Sequence, residues 1–166
     1  MSHTYLIALG SNMRVPGIGP PRAVLEAALL AIEERGACIK ASAPFVETPP
    51  IGPSQRRYAN GAAIIETALA PPAMLAFCKQ IERDFGRGRS QLRGQRWRSR
   101  SLDLDIVLWS GGRWQAPDLI IPHSLFRSRD FVLGPARRIA GGWRDPVSGM
   151  NVRQLAARLR SRVGRA

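Results

Sequence analysis

The order in which apolar segments follow one another constrains the fold of this chain more than any other feature. Short apolar runs predict strands, whereas apolar residues that recur every three or four positions predict helices. Glycines punctuate these segments, as at Gly36 and Gly86, which follow the two predicted helices. The predicted elements are a strand at 5–9, a helix at 23–34, strands at 39–47 and 58–67, a helix at 71–85 and a strand at 102–109.

This order matches the split βαβ arrangement, in which helices pack across a sheet. Pro44 predicts that strand 39–47 is an edge strand or carries a bulge, because proline cannot donate to a ladder. The turn sequence 110–112 predicts a hairpin towards 113–115, whereas Gly10 predicts a turn after the first strand. Helices at 131–140 and 152–163 would complete the chain. We find no internal repeat and no linker, so we expect a single domain over residues 1–166.

Composition excludes several classes of protein. With 166 residues and 45% apolar residues, the chain can bury an ordered core. Cys38 and Cys78 lack the spacing of a zinc site and lie among apolar neighbours, which predicts two buried, reduced thiols. No signal sequence and no apolar run long enough for a membrane span is present, so we expect a cytoplasmic protein that does not enter a membrane.

The formal net charge is +13, and nearly all of the positive charge comes from arginine. Such a surface attracts polyanions, among them nucleic acid, anionic membranes and nucleotide phosphates. Arginine enrichment can also reflect the base composition of a genome, in which case much of the charge is solvated surface. Composition leaves these alternatives open.

Asp103 and Asp105 carry the strongest chemical signal. In a strand their side chains point to the same face, with Cβ atoms about 7 Å apart. Two neighbouring carboxylates on an apolar strand repel each other, and a cation relieves that repulsion. Mg²⁺ prefers such oxygen ligands together with substrate phosphates and water. The alternative is an exposed edge strand whose acids pair with nearby arginines.

An arginine-rich stretch stands next to this acid pair. Residues 83–100 contain seven arginines with interspersed glycine, and they lack apolar periodicity after residue 87. Guanidinium groups match phosphate oxygens and stabilise charge when phosphoryl groups are transferred. Beside two carboxylates that could hold a metal, they form a complementary set for a polyphosphate. On its own, such a stretch is more often a solvated loop or a loop that contacts RNA.

The chain resembles the 6-hydroxymethyl-7,8-dihydropterin pyrophosphokinase family of folate biosynthesis. The resemblance is strongest in the segment Arg96 to Asp105, with the sequence RWRSRSLDLD, and it spans nearly the whole chain. Further matching segments occur in the same order at 8–12, 48–53, 58–60, 81–82, 86–87, 121–123 and 129–133.

The resemblance implies an α/β (α+β) fold, with a ferredoxin-like βαββαβ core, helices packed on a mostly antiparallel sheet, and additional C-terminal elements. It implies transfer of pyrophosphate from ATP, with two Mg²⁺ ions, to the hydroxymethyl group of the pterin, releasing AMP. Asp103 and Asp105 would hold the metal and, with Arg87 and Arg100, would form the catalytic set. The implied ATP-binding residues are Glu82, Arg87, Arg89, Trp97, Arg100, His123 and Arg129; the implied pterin-binding residues are Thr48, Pro49, Ile51, Tyr58, Asn60 and Phe131.

Residue chemistry agrees with these implied roles. Asn60 offers both donors and an acceptor to the edge of a pterin, while Tyr58 and Phe131 can stack on its faces. His123 can donate to a phosphate oxygen, and positioning rather than base catalysis dominates phosphoryl transfer. We expect a monomer whose partners are ATP and the pterin. The alternatives are a basic ferredoxin-like module that binds nucleic acid, and a catalytically altered relative that binds pterin or nucleotide.

Overall fold

The structure is a computed structural model that describes residues 1–49, 56–87 and 101–164, with only the backbone of Arg87. Its strands are β1 (His3–Ser11), β2 (Cys38–Ser42), β3 (Val46–Thr48), β4 (Tyr58–Thr67), β5 (Asp103–Trp109), β6 (Trp114–Ala116) and β7 (Leu119–Ile121). Its helices are α1 (Pro21–Glu34), α2 (Pro71–Glu82), α3 (Asp130–Ala140) and α4 (Val152–Val163). A π-helical turn, Arg83–Arg87, follows α2, and a 3₁₀ turn, Phe126–Ser128, precedes α3.

The main sheet has the strand order β2-β4-β1-β5, and β3 also pairs with β4. All of these pairs are antiparallel. Helix α1 follows β1 and helix α2 follows β4, so each half of the core is a strand, a helix and a strand. This is the predicted α+β fold with a ferredoxin-like βαββαβ core, which is confirmed.

Alternation along β1 divides the interior into two cores. Tyr5, Ile7 and Leu9 face a core built with α1 and α2. Leu6 and Ala8 face the opposite core, to which α3 and α4 contribute. Because successive strand residues point to opposite faces, a central strand covered by helices on both sides must be apolar throughout, as the first strand of this sequence is.

Several local predictions need correction. The predicted strand 39–47 is two shorter strands, β2 and β3, and Pro44 lies in the gap between them. The hairpin from β5 into 113–115 is wrong, because Trp114 pairs with Ile121 in the separate sheet of β6 and β7. The turn predicted at Gly10 is also wrong, because β1 continues to Ser11.

The two cysteines differ. Cys78 lies on the buried face of α2 and is 2% exposed, as predicted. The prediction that Cys38 is buried is wrong, because Cys38 is exposed at the start of β2. Burial, together with the negative charge of Asp105, raises the pKa of the Cys78 thiol to about 12, so it stays protonated at neutral pH. Cys38 is exposed because it alternates out of an edge strand.

A buried acid organises the turn between α3 and α4. The side chain of Asp145 is fully buried and accepts hydrogen bonds from Nε and Nη2 of Arg127 at 2.7 and 2.8 Å. It also accepts from the Ser148 hydroxyl at 2.6 Å and from the amides of Val147 and Ser148 at 3.0 and 3.2 Å. Burial alone would raise the pKa of Asp145, but these hydrogen bonds outweigh it and hold the pKa well below its usual range.

The free energy of unfolding should therefore depend on pH in the acid range through Asp145. Below an unfolded-state pKa of about 4 the unfolded chain takes up a proton at this position, while the folded chain resists it. The stabilisation is complete above that pH and is lost as the pH falls towards the folded-state pKa. We expect the difference in free energy of unfolding between the wild type and Asp145→Asn to narrow from pH 6 to pH 3, measured by urea denaturation. A difference that is constant with pH would contradict this.

Candidate functional site

The centre of the candidate site is a row of residues that crosses three strands. Asn60 of β4 pairs with Gly10 of β1, and Gly10 pairs with Asp103 of β5. Directly paired residues point to the same face, so the asparagine and the acid flank a glycine from either side. Two strand spacings separate their Cα atoms by about 10 Å. A Cβ on Gly10 would first meet Oδ1 of Asn60, at 3.4 Å, so the glycine forms an open floor.

A second row places the other acid beside the first. Ala8 of β1 lies between Ala62 of β4 and Asp105 of β5. Asp103 and Asp105 are both half-buried, and the buried Leu104 between them points to the other face. The shared face of the two acids, predicted from strand periodicity, is confirmed as geometry.

Glu82 anchors the strand that carries these acids. It lies at the end of α2, is 2% exposed, and accepts the backbone N–H of Leu104 through Oε1 at 2.8 Å. Leu104 is on an edge strand, so this N–H would otherwise lack a ladder partner within the sheet. A carboxylate from α2 therefore holds the backbone between the two acids, while its predicted contact with ATP stays a prediction.

Replacement of Glu82 should test this anchor. We expect Glu82→Ala to lower the free energy of unfolding by about 1–3 kcal/mol, because the buried amide of Leu104 loses a charged acceptor. Urea denaturation would measure the loss. Glu26→Ala is the matched control, because Glu26 pairs with Arg22 on the surface at 57% side-chain exposure and should cost little. Equal effects of the two substitutions would argue against the anchor.

A histidine and an arginine from the segment before α3 approach Asp105. Nε2 of His123 lies 3.9 Å and Nη1 of Arg129 lies 3.7 Å from Oδ2 of Asp105. Both distances allow electrostatic attraction but exceed a good hydrogen bond. The contact with Arg129 is an acid–arginine pairing of the kind that stood as the alternative to metal binding.

His123 is held at both its backbone and its ring. Its amide donates to the carbonyl of Val107 at 3.0 Å, which ties it to β5. Its Nδ1 accepts the backbone N–H of Leu125 at 3.1 Å. With Nδ1 engaged as an acceptor, Nε2 carries the proton and is the nitrogen that faces Asp105.

The acid pair fits magnesium, which takes one or two carboxylates and completes its shell with phosphates and water. Within residues 1–49, 56–86 and 101–164, no group of three or more histidine, cysteine, aspartate or glutamate side chains is arranged to hold a metal. A metal at Asp103 and Asp105 would complete its shell with water and with the phosphate oxygens of a bound substrate. The donor set matches a metal that arrives with a polyphosphate better than a permanent structural ion.

Of the predicted pterin residues, Asn60, Tyr58 and Thr48 lie on β4 and β3, across Gly10 from the two acids. Thr48 pairs with Tyr58 across β3 and β4, and both are half-buried, while Pro49 follows at the surface. Phe131, in the first turn of α3, is 49% exposed, which is unusual for a ring of this size. The guanidinium of Arg129 lies 5.7 Å from the centre of that ring.

A cavity of about 310 Å³ opens beside β5, next to the acid pair. Its walls combine apolar side chains with two acids, a histidine and a serine: Leu75, Leu104, Asp105, Ile106, Pro117, Asp118, Leu119, Ile120, His123 and Ser124. Apolar walls with a few polar groups are typical of small-molecule sites.

Four predicted site residues lie outside the described part of the chain, namely Ile51, Arg89, Trp97 and Arg100. Arg87 is described by its backbone alone, in the turn after α2 where Gly86 has a φ of 105°. The contacts predicted for these five residues stay predictions.

Comparison with known proteins assigns the family. The sequence model of the 7,8-dihydro-6-hydroxymethylpterin-pyrophosphokinase (HPPK) family matches residues 6–141. The chain belongs to the HPPK family. A 2-amino-4-hydroxy-6-hydroxymethyldihydropteridine pyrophosphokinase of Pseudomonas aeruginosa is 37% identical over 159 residues, which cover 95% of this chain and 92% of the relative. The Synechocystis protein of the same name is 34% identical over 92% of this chain and 74% of its own length.

Solved structures show the same fold. The crystal structure of Plasmodium falciparum HPPK-DHPS superposes with a TM-score of 0.76 at 14% identity, over 99% of this chain. This chain spans only 42% of that longer protein. No helix in the described ranges is long and apolar enough to span a membrane, as the sequence predicts.

Two features of this HPPK site were missed from the sequence. Gly10 was interpreted as part of a turn, although a glycine within an apolar strand also signals a close approach of another group. Arg127 carries no motif of its own, and only the structure shows that it joins the segment with His123 and Arg129 to the buried Asp145.

Proposed function

We propose that this chain transfers pyrophosphate from ATP to the hydroxymethyl group of 6-hydroxymethyl-7,8-dihydropterin, with Mg²⁺, to give the pterin diphosphate and AMP. The observation that supports it most is the row in which Gly10 separates Asn60 from Asp103. A hydrogen-bonding amide and a pair of metal-binding acids about 10 Å apart, over an open floor, suit a flat heterocycle whose substituent meets a triphosphate.

On the nucleotide side, the charges of the site oppose those of a triphosphate. Magnesium bound by Asp103 and Asp105 would neutralise phosphate oxygens and orient them. Arg129 and His123 lie within 4 Å of Asp105, so they can turn to donate to the same phosphates. The further proposed contacts of ATP are Arg87, Arg89, Trp97 and Arg100. Glu82 is also proposed to take part in ATP binding, and it supports the backbone of β5 through Leu104. The cavity beside β5 offers apolar walls to the base.

On the pterin side, Asn60 is proposed to bind the ring edge, and Phe131 and Tyr58 to stack on its faces. Thr48, Pro49 and Ile51 would complete the pocket with backbone groups. The exposed ring of Phe131 gains burial when a flat ligand covers it, which contributes to affinity. The hydroxymethyl oxygen would then face the β-phosphorus in line, with positioning as the main catalytic factor.

The activity can be tested directly. The purified chain, ATP, the hydroxymethyl pterin and Mg²⁺ should yield AMP and pterin diphosphate in equal amounts, separated by anion-exchange chromatography. A reaction with EDTA is the control and should yield neither. Calorimetry with a non-hydrolysable ATP analogue and the pterin should show binding of both. Binding of both ligands without AMP would instead indicate the catalytically altered relative, and ADP as the product would contradict transfer of pyrophosphate.

We propose that residues 1–166 act as one domain and as a monomer in the cytoplasm. Sedimentation at equilibrium would measure the mass, and a dimer at the concentration of the assay would contradict the monomer. Salt-sensitive binding of RNA without binding of pterin would favour the nucleic-acid module that the net charge of +13 otherwise allows.

A further inference from the structure

The segment between β7 and α3 carries both side chains that approach Asp105, the imidazole of His123 and the guanidinium of Arg129. His123 stands at its start and Arg129 at its end, and the 3₁₀ turn Phe126–Ser128 lies between them. Backbone hydrogen bonds from Phe126 to His123 and from Arg129 to Phe126, at 3.2 and 3.4 Å, make the segment one compact unit. A displacement of this unit would therefore move His123 and Arg129 together.

Hydrogen bonds join this unit to the turn between α3 and α4. Arg127, in the middle of the 3₁₀ turn, donates two hydrogen bonds to the fully buried carboxylate of Asp145. Its guanidinium also lies 4.7 Å from the centre of the Phe126 ring, which is 1% exposed. A bidentate pair fixes both distance and orientation, which a single contact does not.

Asp145 is itself rigidly placed. Its amide donates to the carbonyl of Met150, and its own carbonyl accepts from Gly149, both at 2.9 Å. A capping box joins the turn to α4. The side chain of Asn151 accepts from the backbone N–H of Gln154 at 2.8 Å, and the backbone N–H of Asn151 donates to the side chain of Gln154 at 2.9 Å. Asp145 also lies beyond residue 141, where the match to the HPPK family model ends.

We propose that Asp145 is a positioning residue, which acts through Arg127 to set where His123 and Arg129 lie against Asp105 and the phosphates of ATP. This inference rests on the proposed function for the identity of the ligand. The turn before α4 thus affects ATP binding indirectly, although none of its described side chains contacts the acid pair. Asp145 itself touches no substrate and is not a catalytic residue.

The test is Asp145→Asn, studied at a temperature at which circular dichroism shows the variant folded. We expect kcat/KM for ATP to fall about tenfold, less than the roughly hundredfold that a 1 Å misplacement costs. Affinity for the pterin alone should change less than affinity for an ATP analogue, because Asn60 and Gly10 lie on the sheet and only Phe131 follows the segment directly. The ring nitrogen signals of His123 should shift in NMR spectra of the free protein, and they can be assigned because the chain has only two histidines.

Arg113→Gln is the matched control. Arg113 donates to the carbonyl of Pro146 at 3.1 Å, so it supports the same turn from the other side without touching the segment 123–129. It should leave kcat/KM and the His123 signals unchanged. Arg127→Lys keeps a cation opposite Asp145 and should retain more activity than Arg127→Gln, and this pair decides the matter if Asp145→Asn does not fold.

A lower melting temperature with unchanged kcat/KM and unchanged His123 signals would overturn the proposal, because it would leave Asp145 a purely structural residue. An equal loss in Arg127→Lys and Arg127→Gln would weigh against the charge pairing. If the wild type forms no AMP, the proposed function fails, whereas the His123 signals and the binding of an ATP analogue still test the positioning role.

Discussion

Asp103→Asn and Asp105→Asn are each expected to lower turnover by about a hundredfold to a thousandfold while the chain stays folded. An amide keeps the size of the side chain but removes the charge that holds magnesium, and metal neutralisation contributes several kcal/mol to such a reaction at 1.36 kcal/mol per tenfold. Both side chains are half-buried at the surface of an edge strand, so their replacement opens no cavity. Steady-state assays of AMP formation would measure the loss.

The metal role has a second, independent readout. Mn²⁺ in place of Mg²⁺ can be followed by electron paramagnetic resonance with an ATP analogue bound, and either substitution should weaken its binding. Glu66→Gln is the matched control, because Glu66 is an acid on β4 that pairs with Lys40 on the surface at 3.7 Å. Full activity in Asp103→Asn or Asp105→Asn would contradict the metal assignment, as would metal binding equal to that of the wild type.

Gly10→Val is expected to weaken pterin binding about ten- to a hundredfold. An added Cβ already lies 3.4 Å from Oδ1 of Asn60, so the two further methyl groups would fill the floor between Asn60 and Asp103. Steric conflicts of this kind cost about 1–3 kcal/mol, at about 1.4 kcal/mol per tenfold in affinity. Valine is favoured in strands, and Gly10 does not have a positive φ, so β1 should still form.

Two comparisons isolate the floor. Gly10→Ala adds only the Cβ and should cost much less than Gly10→Val. Gly142→Val places the same side chain on the surface, where an added Cβ meets nothing within 4 Å, and should leave binding unchanged. Calorimetric titration with the pterin would measure all three variants. Wild-type affinity in Gly10→Val would show that the ring does not approach this part of the sheet.

The fold was largely predictable because its periodicities are strong. The predicted strand 58–67 and helix 152–163 coincide with β4 and α4. Errors arose where pairing decides the outcome. Trp114 could pair with β5 in a hairpin or with Ile121 of β7. The turn residues near Trp114 do not distinguish these two partners. The exposure of Cys38 likewise depends on β2 lying at the edge of the sheet.

The sequence likewise predicted some features of the candidate site and not others. Asp103 and Asp105 were identified from spacing alone, because a period of two places both carboxylates on one face whatever the rest of the chain does. The resemblance to HPPK relatives named Asn60, His123 and Arg129, but not their arrangement. The proximity of the last two to Asp105 arises from the turn that joins β7 to α3.

The sequence by itself determined the order of the βαββαβ core elements and of α3 and α4, the shared face of the two acids, and the family. Those properties depend on residues near one another in the chain, where backbone geometry sets the spacing. Only the tertiary structure decided that Gly10 separates Asn60 from Asp103, that Glu82 supports Leu104, and that Arg127 joins Asp145. Each of these contacts links elements far apart in sequence, and their partners are selected by strand order and packing rather than by any local pattern.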